Sequence, residues 1–283
     1  MGNVTEEVAN AIRYVYKSGK IKVEAGSVVE LRQGVSRVAA ATKKRFVSVI
    51  VPTYNEEGNV GRLIGALSLS LESAGINDFE IVVVDDDSKD ATPSIIDKNV
   101  VSGRVAAVHR YNRRGIFSAI MDGVKVARGD FVVIMDADSS HPPSKVPELV
   151  KKLIGGNLDI VSASRFMTGG GIEAPLLRKA ATVLFNNVIR FVMGPGITDW
   201  TGGFHAIRRG KLLALAFRYP SKWGEFDLEL LYRARKAGFR ISEVPFIYNF
   251  REEGKSKSAE RFGFLFGYAW LYGKRMLQLR FSN

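Results

Sequence analysis

From Phe46 onward the chain alternates short apolar runs with stretches whose apolar residues recur at helical spacing, and nothing else in it constrains the fold as strongly. Phe46–Val51, Ile81–Val84, Val105–Val108, Phe131–Met135 and Leu158–Val161 have the length and β-branched content of buried strands. Between the first two, Val60, Leu63, Ile64, Leu67 and Leu71 repeat with the three-and-four step of one helix face. Thr92-Pro93 reads as a helix cap followed by proline in the first turn. Strands that are apolar throughout and separated by helices predict an α/β domain, with a mostly parallel central sheet flanked by helices. At 283 residues and 46% hydrophobic content the chain can fill the core of such a domain. Residues before about Lys44 are polar, basic and weakly patterned. We therefore divide the chain into an N-terminal extension (1–44), a main domain (45–258) and an aromatic and basic C-terminal segment (259–283). Val8, Ile12 and Val15 would let the extension pack as a helix.

In open parallel sheets ligands bind beyond the carboxyl ends of the strands, so the residues following each run matter most. Three runs end in polar groups: Pro52-Thr53-Tyr54-Asn55-Glu56, Asp85-Asp86-Asp87-Ser88 and Asp136-Ala137-Asp138. The fold would bring all three to one crevice. Asp136 and Asp138 are two residues apart, so in extended chain they share a face and can offer oxygens to one hard cation, which would neutralise a diphosphate. A lone Asp-x-Asp is more often a turn. A second acidic cluster ending a nearby strand argues for a neutralising ligand, because unpaired carboxylates repel. Neither Gly-x-x-x-x-Gly-Lys-Ser/Thr nor a Gly-x-Gly-x-x-Gly helix opening is present. There is no cysteine, and His109, His141 and His205 lack zinc-ligand spacing.

On these segments the sequence resembles glycosyltransferase family 2 and, within it, the dolichyl-phosphate mannosyltransferases. The resemblance runs from about Phe46 to Lys257. It is carried by Val51–Glu56, Val84–Thr92, Met135–Pro143, Ser162–Phe166, Asp199–Phe204, Glu243–Pro245 and Arg251–Lys257. It implies a glycosyltransferase A-type fold and a nucleotide-sugar pocket lined by Pro52, Tyr54, Glu56, Asp85, Asp86, Asp136, Ala137, Asp138 and Lys257. It further implies that Asp136, Asp138 and Ser140 hold magnesium or manganese, and that Arg165, Arg178 and Arg251 face the acceptor phosphate. Asp136, Asp138 and Arg251 are its catalytic candidates. Guanidinium groups suit that task because they bind phosphate oxygens bidentately and keep their charge. The implied reaction is inverting transfer of a sugar, mannose from GDP-mannose, to a polyprenyl or dolichyl phosphate, with a UDP-glucose donor as the alternative. A phosphate monoester is already an anionic nucleophile at neutral pH. Asp227 and Glu229, in Gly224-Glu-Phe-Asp-Leu-Glu229, then either orient the acceptor or lie outward on an amphipathic helix whose Phe226, Leu230 and Leu231 are buried. Three residues depart from the pattern: Phe117 where relatives have glycine, His205 where they have arginine, and Asp87 in the acidic triplet.

The excess of 41 Lys and Arg over 29 Asp and Glu gives a net charge of +12 and attraction to polyanions. A nucleic-acid partner is disfavoured, because the stacking-plus-basic modules are missing and the acidic clusters would go unexplained. An idle polyanion-binding scaffold is disfavoured by the full set of carboxylates and basic residues. Lys179–Gly194 and the tail Phe262–Tyr272, followed by Lys274, Arg275 and Arg280, suit a lipid head-group boundary and read as amphipathic interface helices. Gly254–Ser258 suits a loop closing over the donor. Glu6, Glu7 and Asn10 interrupt any signal-peptide core, and no apolar run approaches the roughly 20 residues of a membrane span. The expectation is a peripheral protein on the cytoplasmic face of a membrane, attached directly or through a membrane-protein partner.

Overall fold

The computed structural model describes residues 12–17, 20–25, 46–112, 114–217, 225–249 and 262–281, with side chains from Phe46 on and, in the last segment, from Trp270. Strands β1 (Ile12–Lys17) and β2 (Lys20–Ala25) precede β3 (Val47–Thr53), which the first apolar run forms. There follow α1 (Val60–Ser73), β4 (Phe79–Asp85), α2 (Thr92–Val100), β5 (Val105–Arg110), α3 (Ile116–Val126) and β6 (Phe131–Ile134). The second half begins with α4 (Val146–Gly155), β7 (Ile160–Ser164), β8 (Gly171–Ile172), α5 (Leu176–Met193) and β9 (His205–Arg208). It ends with α6 (Arg209–Ala214), α7 (Glu225–Lys236), β10 (Ile241–Pro245), β11 (Ile247–Tyr248) and α8 (Phe262–Phe281).

Among the described residues nine strands form one sheet, in the order β10-β7-β9-β6-β3-β4-β5-β1-β2. Its centre, β6-β3-β4-β5, is parallel, whereas β9 runs antiparallel between β6 and β7. β3 and β4 are buried on both faces, which accounts for their unbroken apolar sequence. One face of the sheet packs on α1, α2 and α4 through Leu63, Leu67, Ile96 and Leu149. The other packs on α3, α6 and α7 through Ile120, Leu212, Phe226 and Leu230. Helix α3 lies so close to the sheet that a Cβ at Gly123 would come 2.7 Å from Ile50, so only glycine fits. A third cluster joins α5, α7 and α8, with Ile189, Met193, Trp200, Leu231, Tyr272 and Met276 at its centre.

Several expectations change. The helix expected in the extension is replaced at Ile12 by a hairpin: β1 pairs antiparallel with β2 and parallel with β5, continuing the main sheet. Val8 lies outside the described residues. β-Branched and aromatic residues in Ile12-Arg-Tyr-Val-Tyr-Lys17 favour strand over helix, and the open edge of β5 supplies the partner. Thr92 is not a cap but the first helical residue, and its N–H donates to Asp90 Oδ1 (3.0 Å), freeing the threonine hydroxyl for a distant partner. β7 runs from Ile160 to Ser164, two residues later than the apolar run suggests, because its pairing with β10 extends to Ser164. The departure at Phe117 fills space: its ring packs 5.2 Å from Phe217 and 5.5 Å from Phe226.

Candidate active site

The turn after β6 carries the paired aspartates. Asp136 turns outward, its side chain 41% exposed, while Asp138 is buried. The backbone N–H and the hydroxyl of buried Ser140 both donate to Asp138 Oδ1, at 3.1 and 2.5 Å. Between them Ser139 takes a left-handed conformation (φ 64°), which brings Ser140 back onto Asp138. His141 supports the turn from behind: the Asp136 N–H donates to its Nδ1 (3.0 Å), and its ring stacks on Phe204, with centroids 4.8 Å apart. Burial pushes the His141 pKa down to about 4, so the imidazole is neutral, with Nδ1 as acceptor. Gly203 (φ 69°) passes over it so closely that a Cβ would sit 3.4 Å from the ring.

Tyr248, from β11, completes this end. Burial raises its pKa, and the nearby charges of Asp138 and Asp136 raise it further, with the Ser140 side chain adjacent. The two carboxylates and the serine hydroxyl are oxygen donors, which fit a hard divalent cation. Among the described residues no group of three or more His, Asp or Glu could hold a metal by itself. The remaining ligands would therefore come from the substrate and water.

At the ends of β3 and β4 the loops are laced together. The N–H groups of Asn55 and Glu56 donate to Ser88 Oγ and Thr92 Oγ1, both at 2.8 Å, and Lys89 N–H donates back to Asn55 Oδ1. Glu56 is buried and accepts from Asn59 Nδ2 (2.8 Å). Tyr54 stacks beneath the Arg114 guanidinium, 4.4 Å from its ring centroid. Pro52 closes β3 beside these residues. Asp85 is buried at the end of β4. Asp86 accepts from Arg110 and from Gly115 N–H (2.7 Å), and burial raises its pKa despite both donors. Asp87 adopts φ 66°, which aspartate tolerates better than most residues, and pairs with Lys89.

The basic candidates separate. Arg165 is held bidentately by Asp199 through Nε and Nη2 (2.7 Å twice), and Nη2 also donates to Thr201 Oγ1 (2.7 Å), so one edge of its guanidinium is occupied inside the protein. Burial would raise the Asp199 pKa, but Arg165 outweighs it and holds the carboxyl below its ordinary range. Glu243 in turn accepts from Thr198 N–H (2.8 Å) and Asp199 N–H (3.1 Å), so Ser162–Phe166, Asp199–Phe204 and Glu243–Pro245 form one buried network. Arg178 is exposed in the first turn of α5, five residues after Glu173, whose N–H donates to Tyr248 O (2.9 Å). Arg251, Lys257 and the loop Gly254–Ser258 lie outside the described residues.

The carboxylates of α7 do not point outward. Glu225, Asp227 and Glu229 are all buried. Asp227 meets His205 Nε2 at 3.2 Å, and Glu229 binds Arg233 (2.5 Å) and Arg275 of α8 (3.0 Å). The helix is covered on both sides, by the sheet and by α8, so charges along it must be paired internally. His141, Tyr248, Arg110 and Arg114 are neighbours of the site that the motifs do not single out. For Arg110 a signal existed, since it ends a strand as the acidic clusters do.

Comparison with known proteins bears on the fold and the family. The profile of glycosyl transferase family 2 matches residues 48–215. The chain is 35% identical over 214 residues to the dolichol-phosphate mannosyltransferase of Pyrococcus furiosus, covering 75% of this chain and 58% of that protein. It is 34% identical over 216 residues to the polyprenol monophosphomannose synthase of Mycolicibacterium smegmatis, covering 74% and 79%. Glycosyltransferase AglD of Haloferax volcanii is 32% identical over 212 residues, and the match spans only 34% of its length. Among solved structures, glucosyl-3-phosphoglycerate synthase of Mycobacterium tuberculosis, in complex with Mn2+, UDP and glucosyl-3-phosphoglycerate, superposes with a TM-score of 0.61. That match covers 83% of this chain and 80% of the other at 22% identity, a likeness of fold.

Proposed function

The chain belongs to glycosyltransferase family 2, and from that premise we propose that it transfers mannose from GDP-mannose to a polyprenyl phosphate at a membrane surface, with inversion at the anomeric carbon. The reading is carried by one juxtaposition. Tyr248 O accepts from Glu173 N–H (2.9 Å) and Asn249 N–H donates to Ser140 O (3.2 Å), so β11 joins the Asp136–Asp138 turn to the start of α5, where Arg178 directly follows Leu176 and Leu177, 82% and 84% exposed. A lipid phosphate held at Arg178 would have its chain along α5 and its head group at the carboxylate turn. The names of the relatives from Pyrococcus and Mycolicibacterium support mannose and a polyprenyl acceptor.

Asp136 and Asp138, with Ser140, would hold a magnesium or manganese ion, which when bound supplies positive charge to the departing nucleotide diphosphate. Pro52, Tyr54, Glu56, Asp85, Asp86 and Ala137 are assigned to the nucleotide pocket, and Arg251 and Lys257 to the phosphates. Arg165, spent on Asp199, acts by holding the 198–203 segment in place. The acceptor phosphate needs no general base, since its second pKa is near 6. This agrees with an α7 whose carboxylates are already paired. Residues 45–258 form the catalytic unit in this reading and 259–283 the membrane-facing one. Residues 1–44 extend the sheet through β1 and β2.

The membrane-facing surface is formed by two helix stripes. On α5, Leu177, Leu184, Val188 and Phe191 follow helical spacing on the side opposite the buried Asn186, Ile189 and Met193, with Lys179 and Arg190 exposed nearby. On α8, Trp270, Leu277 and Phe281 form a similar stripe with Lys274 and Arg280. No described helix is long and apolar enough to cross a membrane. The stripes fit lying on the surface, apolar residues among acyl chains and cations at the head groups.

The deciding assay presents the protein with GDP-mannose or UDP-glucose, a polyprenyl phosphate and Mg2+ or Mn2+, and measures the glycolipid formed. Mannosyl lipid from GDP-mannose is the expected product. Glucosyl lipid alone would shift the donor assignment, and no transfer from either donor would overturn the reading.

A further inference from the structure

β4 ends in one acid, Asp85, and is followed directly by a second, Asp86, while its neighbour β5 ends in two consecutive bases, His109 and Arg110. The strands are parallel, with Asp85 opposite His109. Successive side chains on a strand point to opposite faces, so the two acid–base pairs lie on the two sides of the sheet. On the α2 side, His109 Nδ1 lies 3.5 Å from Asp85 Oδ2, and Nε2 lies 3.0 Å from Asp97 Oδ1, with the ring almost wholly buried. On the α3 side Arg110, fully buried, binds Asp86, donates to Ser118 Oγ (2.5 Å) and lies 3.2 Å from Asp122. Asp86 also accepts from Gly115 N–H, so this pair fixes the turn that places Arg114 over Tyr54.

Burying a guanidinium and an imidazole among carboxylates is a costly way to join two strands, and apolar residues of similar size serve stability as well or better. What the ionic pairs add is geometry: each anchors one acidic side chain from a different face, at the carboxyl ends of adjacent strands. We propose that His109 and Arg110 are positioning residues of the nucleotide pocket, a two-sided clamp that sets Asp85, Asp86 and the Arg114–Tyr54 stack in the arrangement the nucleoside end of the donor meets. The proposal rests on the reading that these residues line the donor pocket. It places the effect on the donor alone, because Arg178, assigned to the acceptor side, takes no part in the clamp.

The test uses the full chain, with KM for GDP-mannose and for polyprenyl phosphate measured separately and GDP binding followed by calorimetry with Mn2+. Arg110→Lys keeps the charge but loses the planar fork, and His109→Gln keeps hydrogen-bonding capacity without the ring. Arg110→Lys is expected to raise the donor KM and the GDP Kd by about tenfold or more. His109→Gln acts in the same direction, and acceptor KM and kcat stay as in the wild type. Donor KM unchanged in both variants overturns the clamp, as does a loss spread equally over kcat and both KM values, the mark of a merely structural role. Should Arg110→Lys fail to fold, the split in His109→Gln decides. Asp138→Ala reports on the underlying reading: if GDP binding survives there, or the wild type binds no GDP, the donor pocket and the clamp fall together. Binding lost in Asp138→Ala beside unchanged clamp variants overturns the clamp only.

Discussion

Asp138 illustrates how one side chain can be both structural and available. Ser140 satisfies a single oxygen, Oδ1, through two donors. Asp138→Ala should cost about 2 kcal/mol of stability or more, since two hydrogen bonds to a buried carboxylate are lost. Its effect on transfer should be a fall of at least about a hundredfold, as for removal of an electrostatic group in other enzymes. Circular dichroism and a turnover assay on one preparation separate the two effects. His109 gives a second prediction at this scale. Burial lowers its pKa, but Asp85 and Asp97 outweigh burial, and the folded value is raised above 6.5. The proton is thus held more tightly in the folded chain. The stability it confers is fully present below about pH 6.5 and is lost as pH rises through the raised folded value. Thermal midpoints measured across that range should show the gap between wild type and His109→Gln closing with rising pH; a constant gap would remove the linkage.

Helix α8 is fastened to α7 by charge on one side and exposes an apolar stripe on the other. Arg275, buried, meets Glu229 at 3.0 Å and Glu225 at 3.8 Å. Arg275→Leu removes a buried cation from Glu225 and Glu229 and should destabilise the fold by about 3 kcal/mol. Adding Glu229→Gln should recover part of that in denaturant titrations, because one of the two carboxylate charges is then gone. The outer stripe predicts a different behaviour. Trp270 and Phe281 are 75% and 78% exposed, and burying such a side chain in lipid is worth about 1.5–3 kcal/mol. Trp270→Glu with Phe281→Glu should therefore cut liposome co-sedimentation by about tenfold or more while leaving thermal stability unchanged. Retained binding would show that α8 does not face the membrane.

At the scale of the whole molecule, the charge of +12 and the two amphipathic helices act together. Cations at the surface attract anionic lipid over roughly 10 Å at 0.1 M salt, whereas apolar insertion does not depend on salt. Binding to vesicles should rise with anionic lipid content and weaken between 0.05 and 0.5 M NaCl, leaving a salt-resistant remainder on α5 and α8; binding indifferent to both would contradict an electrostatic contribution.

The strands, the mostly parallel sheet and the acidic turns at its carboxyl edge were legible in the sequence, because they depend on local matters: the period of apolar residues, and the polarity of whatever follows a strand; the A-type architecture was implied only by the family resemblance. Phe46–Val51 and Ile81–Val84 could hardly be anything but buried strands. The hairpin at Ile12–Ala25 was legible in principle, since Ser18-Gly19 separates two alternating runs, but its partner, the edge of β5, lies some ninety residues away. Long-range packing settles which charged groups already have partners. Arg165 reads as a phosphate ligand until Asp199 is beside it. Glu229 reads as a surface carboxylate or a base until Arg275 arrives from the end of the chain. Asp86 has Arg110 and Gly115 on it before any nucleotide comes near. Sequence alone therefore specified the kinds of side chain gathered at the crevice, while the long-range packing of α3, α7 and α8 settled their partners, because the energy of a buried charge depends on what stands within a few ångströms of it and not on its neighbours in the chain.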